Sequence, residues 1–271
     1  MSGEQQDLCN TLLHGDLANV HFNEESDDED EDTTETEEKL QQLHCENDIC
    51  VQDRSLKDKE VYSEDVNNAW KVIQSWIETS MEWTIKVGQN PIDGCVRSQW
   101  SDIYGCVTVL QARLDMGPAE LFEDLAFNID EQLKWNTLVS KFQILEKLSD
   151  EIDILYYVVP GAIPKLIKDR DFIIVRRCTK QGEMYFQASC GAKHNGKPEQ
   201  KKIIRGNNGP GGWILKPVES NPQKSDFLWF SSMQMKGNLP QKLIDQLSPK
   251  VMLSYLQPLR KHINDLSKRK S

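Results

Sequence analysis

Hydrophobic positions along the chain change their period four times. From Val66 they recur at helical spacing, as Val66, Ala69, Trp70, Ile73, Trp76 and Ile77. Ser63-Glu64-Asp65 precedes them and supplies a cap and first-turn acids, so the spacing predicts an amphipathic helix over 64–81. Trp83-Thr-Ile-Lys-Val predicts a strand ended by Gly88 and Pro91. The β-branched run over 103–114 predicts another, which stops at Met116-Gly117-Pro118. Pro118 suits a first helical turn, and the apolar spacing that follows predicts a helix through Phe127, with a second short one over 129–136.

After Asn136 the period becomes two. Strands are predicted at 140–148, 152–159, 171–180, 183–190, 201–206, 212–217 and 226–236, separated by Gly, Pro, Asn and Lys clusters. From Pro240 to about Leu266 the helical period returns, with Ile244, Leu247, Val251, Tyr255 and Leu259 on one side. The order predicts an α+β fold: a curved antiparallel sheet of about nine strands, covered by a closing helix of about 25 residues. Periodicity leaves open whether sheet and helix enclose a packed core or a cavity.

Charge divides the chain. Residues 1–60 hold 19 Asp and Glu against four Lys and Arg, whereas 61–271 hold 24 against 28. The net charge of −11 therefore belongs to the first sixty residues, and the remainder is mildly basic. The run Glu24-Glu25-Ser26-Asp27-Asp28-Glu29-Asp30-Glu31-Asp32 repels itself and has nothing to bury. The chain thus reads as a disordered acidic N-terminal tail over 1–60 and a folded domain over 61–271. Within the tail, Ser26, Thr33 and Thr34 are candidate phosphorylation sites.

Several classes are excluded. No run approaches the roughly 18–20 apolar residues of a membrane span, and the first residues lack the basic and apolar stretches of a signal peptide. Seven cysteines show no CxxC pair and no histidine at zinc-ligand spacing. Reduced thiols, no metal, no cofactor and a cytoplasmic location follow. The weak positive balance of the folded part offers no phosphate-binding surface, so nucleic acid is not an expected partner.

Ordered motifs in the second half carry a resemblance. Arg170-Asp171-Phe172-Ile-Ile-Val175-Arg176 resembles the RDF-x-x-x-R strand of the START domain, the lipid-transfer family named after the steroidogenic acute regulatory protein. Lys197-Pro198-Glu199-Gln200 with Ile203-Ile204-Arg205 resembles its PEQ-x-x-IR segment, and Gly209-Pro210 follows at the family position. Lys236-Gly237-Asn238-Leu239-Pro240 resembles the KG-x-LP entry to the last helix, and Leu259-Arg260-Lys261 its closing LRK. The resemblance spans about 64 to 266 and points to the sterol-carrying branch. It implies a helix-grip fold, with a nine-stranded sheet wrapped around the C-terminal helix. It also implies one bound lipid and a gate formed by the last helix with the loop at Gly191–Gln200, where Lys193, His194, Asn195, Gly196 and Pro198 lie.

A tunnel for one lipid needs apolar walls and a few polar groups to orient the ligand's polar end. Arg176 is the leading candidate, on one strand face with Ile174 and Cys178. In the sterol-carrying relatives the arginine at this position pairs with an acid nineteen residues upstream. Here that position is Tyr157, which can accept from Arg176 but cannot neutralise it. Asp153, four residues earlier on the same strand face, or a water held by Tyr157, is the expected substitute. By the same resemblance, Leu247, Val251, Tyr255 and Leu259 face the ligand, whereas spacing alone reads them as core. Pro258 and Pro249 are expected weak points of the last helix. Trp135, Trp213 and Trp229 are read as packing residues. The lysines of the 193–202 region suggest attraction to an anionic membrane surface, for which the acidic tail would compete.

Three functions remain open. The first is a monomeric, non-enzymatic carrier of one apolar lipid, a sterol or, in the same fold, a carotenoid, that contacts membranes transiently. The second is an enzyme, against which stands the placement of the five histidines away from the cavity strands. The third is an interaction module whose cavity is filled by its own side chains.

Overall fold

The structure is a computed structural model that describes residues 42–78, 83–161, 168–237 and 241–270, with side chains described from 59 and, in the last segment, over 244–269. The acidic run at 24–32 lies outside the described residues. Helix α1 spans Gln42–Glu78, so it starts far upstream of the expected residue 64 and takes up 42–60, where a disordered segment was expected. Its six predicted apolar residues are all buried. They pack on one face of the sheet, where Trp70 stacks on Phe186 with ring centroids 3.8 Å apart.

Strands β1 (Thr84–Asn90), β2 (Gly94–Ser101) and β3 (Gly105–Leu114) form an antiparallel meander. β2 escaped the sequence reading, because Gly94-Cys-Val-Arg-Ser-Gln-Trp-Ser has little apolar alternation. It buries polar Arg97 and Ser98 instead. Pro118 opens α2 (Pro118–Phe127), and α3 (Ile129–Trp135) follows, as the local signals predict.

The long strands of the second half are β4 (Lys141–Lys147), β5 (Ile152–Val159), β6 (Arg170–Gln181) and β7 (Met184–Gly191). The segment predicted at 201–206 resolves into two-residue strands, β8 (Ile204–Arg205) and β9 (Asn207–Asn208), on either side of Gly206. Then come β10 (Gly211–Val218), β11 (Asn221–Ser231) and β12 (Met233–Gln234). The predicted strand at 226–236 is interrupted at Ser232, whose hydroxyl donates to the Pro210 carbonyl at 2.6 Å.

The main sheet runs β1-β2-β3-β11-β10-β7-β6-β5-β4, nine antiparallel strands, with β8 added parallel to β6 and β9–β12 as a separate pair. This is the predicted α+β, helix-grip arrangement. α1 covers one face. The other is closed by α2, α4 (Gln241–Ser254) and α5 (Leu256–Lys270). The expected single last helix is two. Pro249 is accommodated inside α4, and the break falls at Tyr255, three residues before Pro258. Pro258 has no N–H for the Ser254 carbonyl, so α5 starts afresh with proline in its first turn, where no donor is needed.

Candidate ligand cavity

Between the α4 face of the sheet and α2–α4 lies a cavity of about 360 Å³, within the range of small-ligand sites. Its walls are mainly apolar. Leu125, Ile129, Leu155, Ile174, Phe227 and Met252 come from six different elements. The Gly211-Gly212 pair leaves part of the wall without side chains, and Gly212 (φ +147°) has no space for one: a Cβ there would lie 1.9 Å from the Gln187 carbonyl oxygen.

Arg176 enters this wall from β6 and is only 2% exposed. Its direct cross-strand partner on β5 is Asp153. Nε donates to Asp153 Oδ1 at 2.7 Å and Nη2 to Oδ2 at 2.9 Å, a bidentate fork. Burial opposes the guanidinium's charge; the adjacent Cys178 sulfur and the Asp153 carboxylate outweigh it, and the pKa is raised. Nη1 lies outside the fork. The charge partner is thus Asp153 rather than the residue nineteen upstream.

Tyr157 lines the cavity and does other work. Its hydroxyl accepts from Asn208 Nδ2 at 2.7 Å, and its ring stacks on Phe172. Burial pushes its pKa well above the ordinary phenol value, so it stays neutral. Asn208, which lines the same space, has a buried Oδ1 without a hydrogen-bond partner among the described residues. Ser189, the partner of Arg176 on β7, and Thr108 on β3 add hydroxyls to the wall. Neither these hydroxyls nor Asn208 is singled out by the sequence. A second buried guanidinium, Arg170, donates to the carbonyls of Met235 and Lys236 at 3.4 Å and of Lys168. Desolvation lowers its pKa.

The predicted lining residues divide. Ile174, Leu247, Val251 and Tyr255 line the cavity, with Leu247 38% and Val251 43% exposed at its mouth. Leu259 does not: beyond the break at Tyr255, α5 turns it into the fully buried core. Trp213 and Trp229, expected only to pack the sheet, both line the cavity. Trp135 packs on Tyr255 and stacks on His262, whose Nε2 lies 2.8 Å from Asp124 Oδ2 in a buried pair the sequence did not signal.

The expected gate loop is elsewhere. Lys193, His194, Asn195, Gly196 and Pro198 are absent from the cavity wall among the described residues. The Lys193 carbonyl accepts from the hydroxyl of Tyr62 on α1, His194 Nε2 lies 3.5 Å from Glu146, and Lys197 Nζ lies over the Tyr156 ring. Period 2 explains this: Ile154, Tyr156 and Ile173 face the α1 side, and the loop packs over that face. Asp171, on the same side, is held by Arg205 through two bonds of 2.9 Å, so both conserve the strand frame rather than the cavity.

Fold, cavity and charge pair can be set beside known proteins. The sequence pattern of the START domain matches residues 66–269. The chain belongs to the START domain family. Among curated START relatives it is 29% identical over 156 residues to the mitochondrial steroidogenic acute regulatory protein of Danio rerio, covering 58% of this chain and 55% of that protein. It is 27% identical over 185 residues to that of Salvelinus fontinalis, covering 68% and 64%. The match thus spans 55% and 64% of the length of these relatives, less than two thirds of either. Among solved START structures, human StAR-related lipid transfer protein 5 superposes with a TM-score of 0.71 at 20% identity, over 77% of this chain and 99% of that one. Human STARD10 gives 0.64 at 20% identity, over 74% and 80%. At such identity these superpositions speak for the fold alone. As a START domain, the chain has the architecture of a lipid-transfer module.

Proposed function

We propose that this START domain carries one apolar lipid, a sterol, in the cavity and exchanges it with membranes without transforming it, as a cytoplasmic monomer. The observation that carries the reading is the mainly apolar cavity with a buried, bidentate Arg176–Asp153 pair at its wall. An apolar ring system fills such a wall, and one hydroxyl meets the guanidinium. A sterol has about 28 heavy atoms, and at roughly −0.3 kcal/mol each this gives about −8 kcal/mol, near-micromolar affinity. Membrane contact is supported by exposed apolar side chains: Trp100 (61% exposed) near the end of β2, Ile103 (77% exposed) in the β2–β3 turn, and the partly exposed Leu247 and Val251 of α4, which line the cavity. Among the described residues no helix is long and apolar enough to cross a membrane. The matched relatives are named as mitochondrial, so organelle fractionation of the full chain is the check on a cytoplasmic location.

The test is transfer between vesicles. The protein is expected to accelerate movement of a fluorescent sterol, and not of a fluorescent phospholipid, from donor to acceptor vesicles. Equal acceleration of both, or of neither, contradicts the sterol reading. A carotenoid is the second reading, favoured by a further chamber adjoining the cavity.

A further inference from the structure

The α1 side of the sheet, away from the cavity, carries a concentration of positive charge. The loop over 192–203, between β7 and β8, holds Lys193, Lys197, Lys201 and Lys202 against the single acid Glu199. That is most of the positive balance of residues 61–271. Lys141, at the start of the edge strand β4, joins them. Lys197 Nζ lies 4.6 Å and Lys141 Nζ 5.7 Å from the centroid of the same buried Tyr156 ring. The loop is tied down. Its Lys193 carbonyl accepts from the hydroxyl of Tyr62 on α1, and its Lys197 carbonyl from Arg205 Nη2 at 3.1 Å.

The acids nearby are already engaged: Asp171 receives the Arg205 fork, and Glu146 lies beside His194. Among the described residues none of the five lysines is in an ion pair, and all but Lys197 are exposed. Like charges gathered on one surface repel, and a polyanion relieves them. The chain itself supplies one. The run over 24–32 has eight carboxylates in nine residues, and it lies upstream of α1, the helix bonded to the loop through Tyr62. Its reach is sufficient. From Gln42 back to the level of Tyr62 is about 30 Å along α1 at 1.5 Å per residue. The ten residues from Asp32 to Gln42 extend to about 33 Å, and the eighteen from Glu24 to about 60 Å. Exposed ion pairs are individually weak, but a tethered partner is present at an effective concentration that a separate polyanion lacks.

We infer that the acidic run over 24–32 docks on this basic surface of its own chain, on Lys141 and the lysines of the 192–203 loop, and covers it. Anionic surfaces are then kept from this face and meet the molecule elsewhere. The contact lies on the side of the sheet away from the cavity, so it does not depend on which lipid the cavity holds.

The test uses the full chain, as an equal mixture of unlabelled and heavy-nitrogen-labelled protein. A water-soluble carbodiimide joins carboxylates to adjacent amines, and mass spectrometry identifies the linked peptides. Links from 24–32 to Lys141, Lys193, Lys197, Lys201 or Lys202 are expected within single molecules at about 20 mM salt, and severalfold fewer at about 500 mM. In Lys197→Gln/Lys201→Gln/Lys202→Gln the links that remain, to Lys141 and Lys193, are expected to fall severalfold. Links between labelled and unlabelled molecules assign the contact to a second copy and overturn the proposal. Links shared evenly with the exposed Lys71 and Lys86 overturn it as well. Replacing the eight acids of 24–32 by Asn and Gln is expected to raise co-sedimentation with phosphatidylserine vesicles severalfold at low salt, and the three lysine substitutions to abolish that gain. No gain, or a gain that survives those substitutions, contradicts the covering of this face.

Discussion

Arg176 and Asp153 stand directly opposite each other on β6 and β5, and neither is solvated well enough to lose its partner. Arg176→Met leaves a buried carboxylate and is expected to cost about 3–5 kcal/mol in urea unfolding. The double variant Asp153→Leu/Arg176→Met is expected to regain most of that stability while remaining poor at sterol binding. A double variant that binds like the parent removes the pair from the site. Alternation along each strand made legible that Arg176 shares a face with Ile174, and Asp153 with Tyr157. Which acid faces the arginine depends on strand register, set by a long connection whose length the sequence shows but whose path it does not. Ser189 and Thr108 were illegible for the same reason, since they join Arg176 only through pairings across five strands. A second residue-scale prediction concerns the thiols. Burial pushes Cys178 and Cys190 from 9.0 up to about 12. Between these values the unfolded chain has released protons that the native one retains, so stability falls as pH rises through that window. Urea midpoints are expected to be lower at about pH 10.5 than at about pH 8, and Cys178→Ala/Cys190→Ala is expected to flatten the difference.

At the scale of elements, the last helix is where proline chemistry decides the outcome. Both prolines were visible as weak points, but Pro249 is absorbed within α4, whereas Pro258 resets the helix and sends Leu259 into the core. Pro258→Ala restores a donor for the Ser254 carbonyl and is expected to join α4 to α5. Helical ellipticity then rises and ligand dissociation slows; unchanged dissociation would separate the break from ligand exchange. The basic 193–202 loop illustrates the opposite failure. Its residues were legible, but one extra or missing strand position moves a loop to the other face, and here it packs towards α1. Membrane contact is accordingly expected at the β2–β3 turn. Trp100→Ala/Ile103→Ala should reduce co-sedimentation with vesicles severalfold and leave affinity for free sterol unchanged, whereas neutralising Lys193, Lys201 and Lys202 should have the smaller effect.

For the whole molecule, the period changes from helical to twofold and back fixed the α+β order, because each face of the sheet had to be covered by an amphipathic helix. What they could not fix was the interior. A cavity and a core present the same apolar periodicity, and space is left only because α4 rests on β1–β3 and stands across the cavity from a glycine-bare stretch of β10. Mid-strand polar residues on β2 hid one strand, and the acidic run at 24–32, read as setting the character of the whole stretch to residue 60, hid the upstream half of α1. The central claim is that this space holds one lipid oriented by Arg176. Its most direct test is to incubate the purified chain with a mixed extract of sterols, carotenoids and phospholipids, re-isolate it, record its visible spectrum and identify the extracted ligand by mass spectrometry. The account predicts one sterol per chain from a colourless protein, lost in the Asp153→Leu/Arg176→Met variant. Recovery of no lipid, or of phospholipid bound equally by that variant, contradicts it.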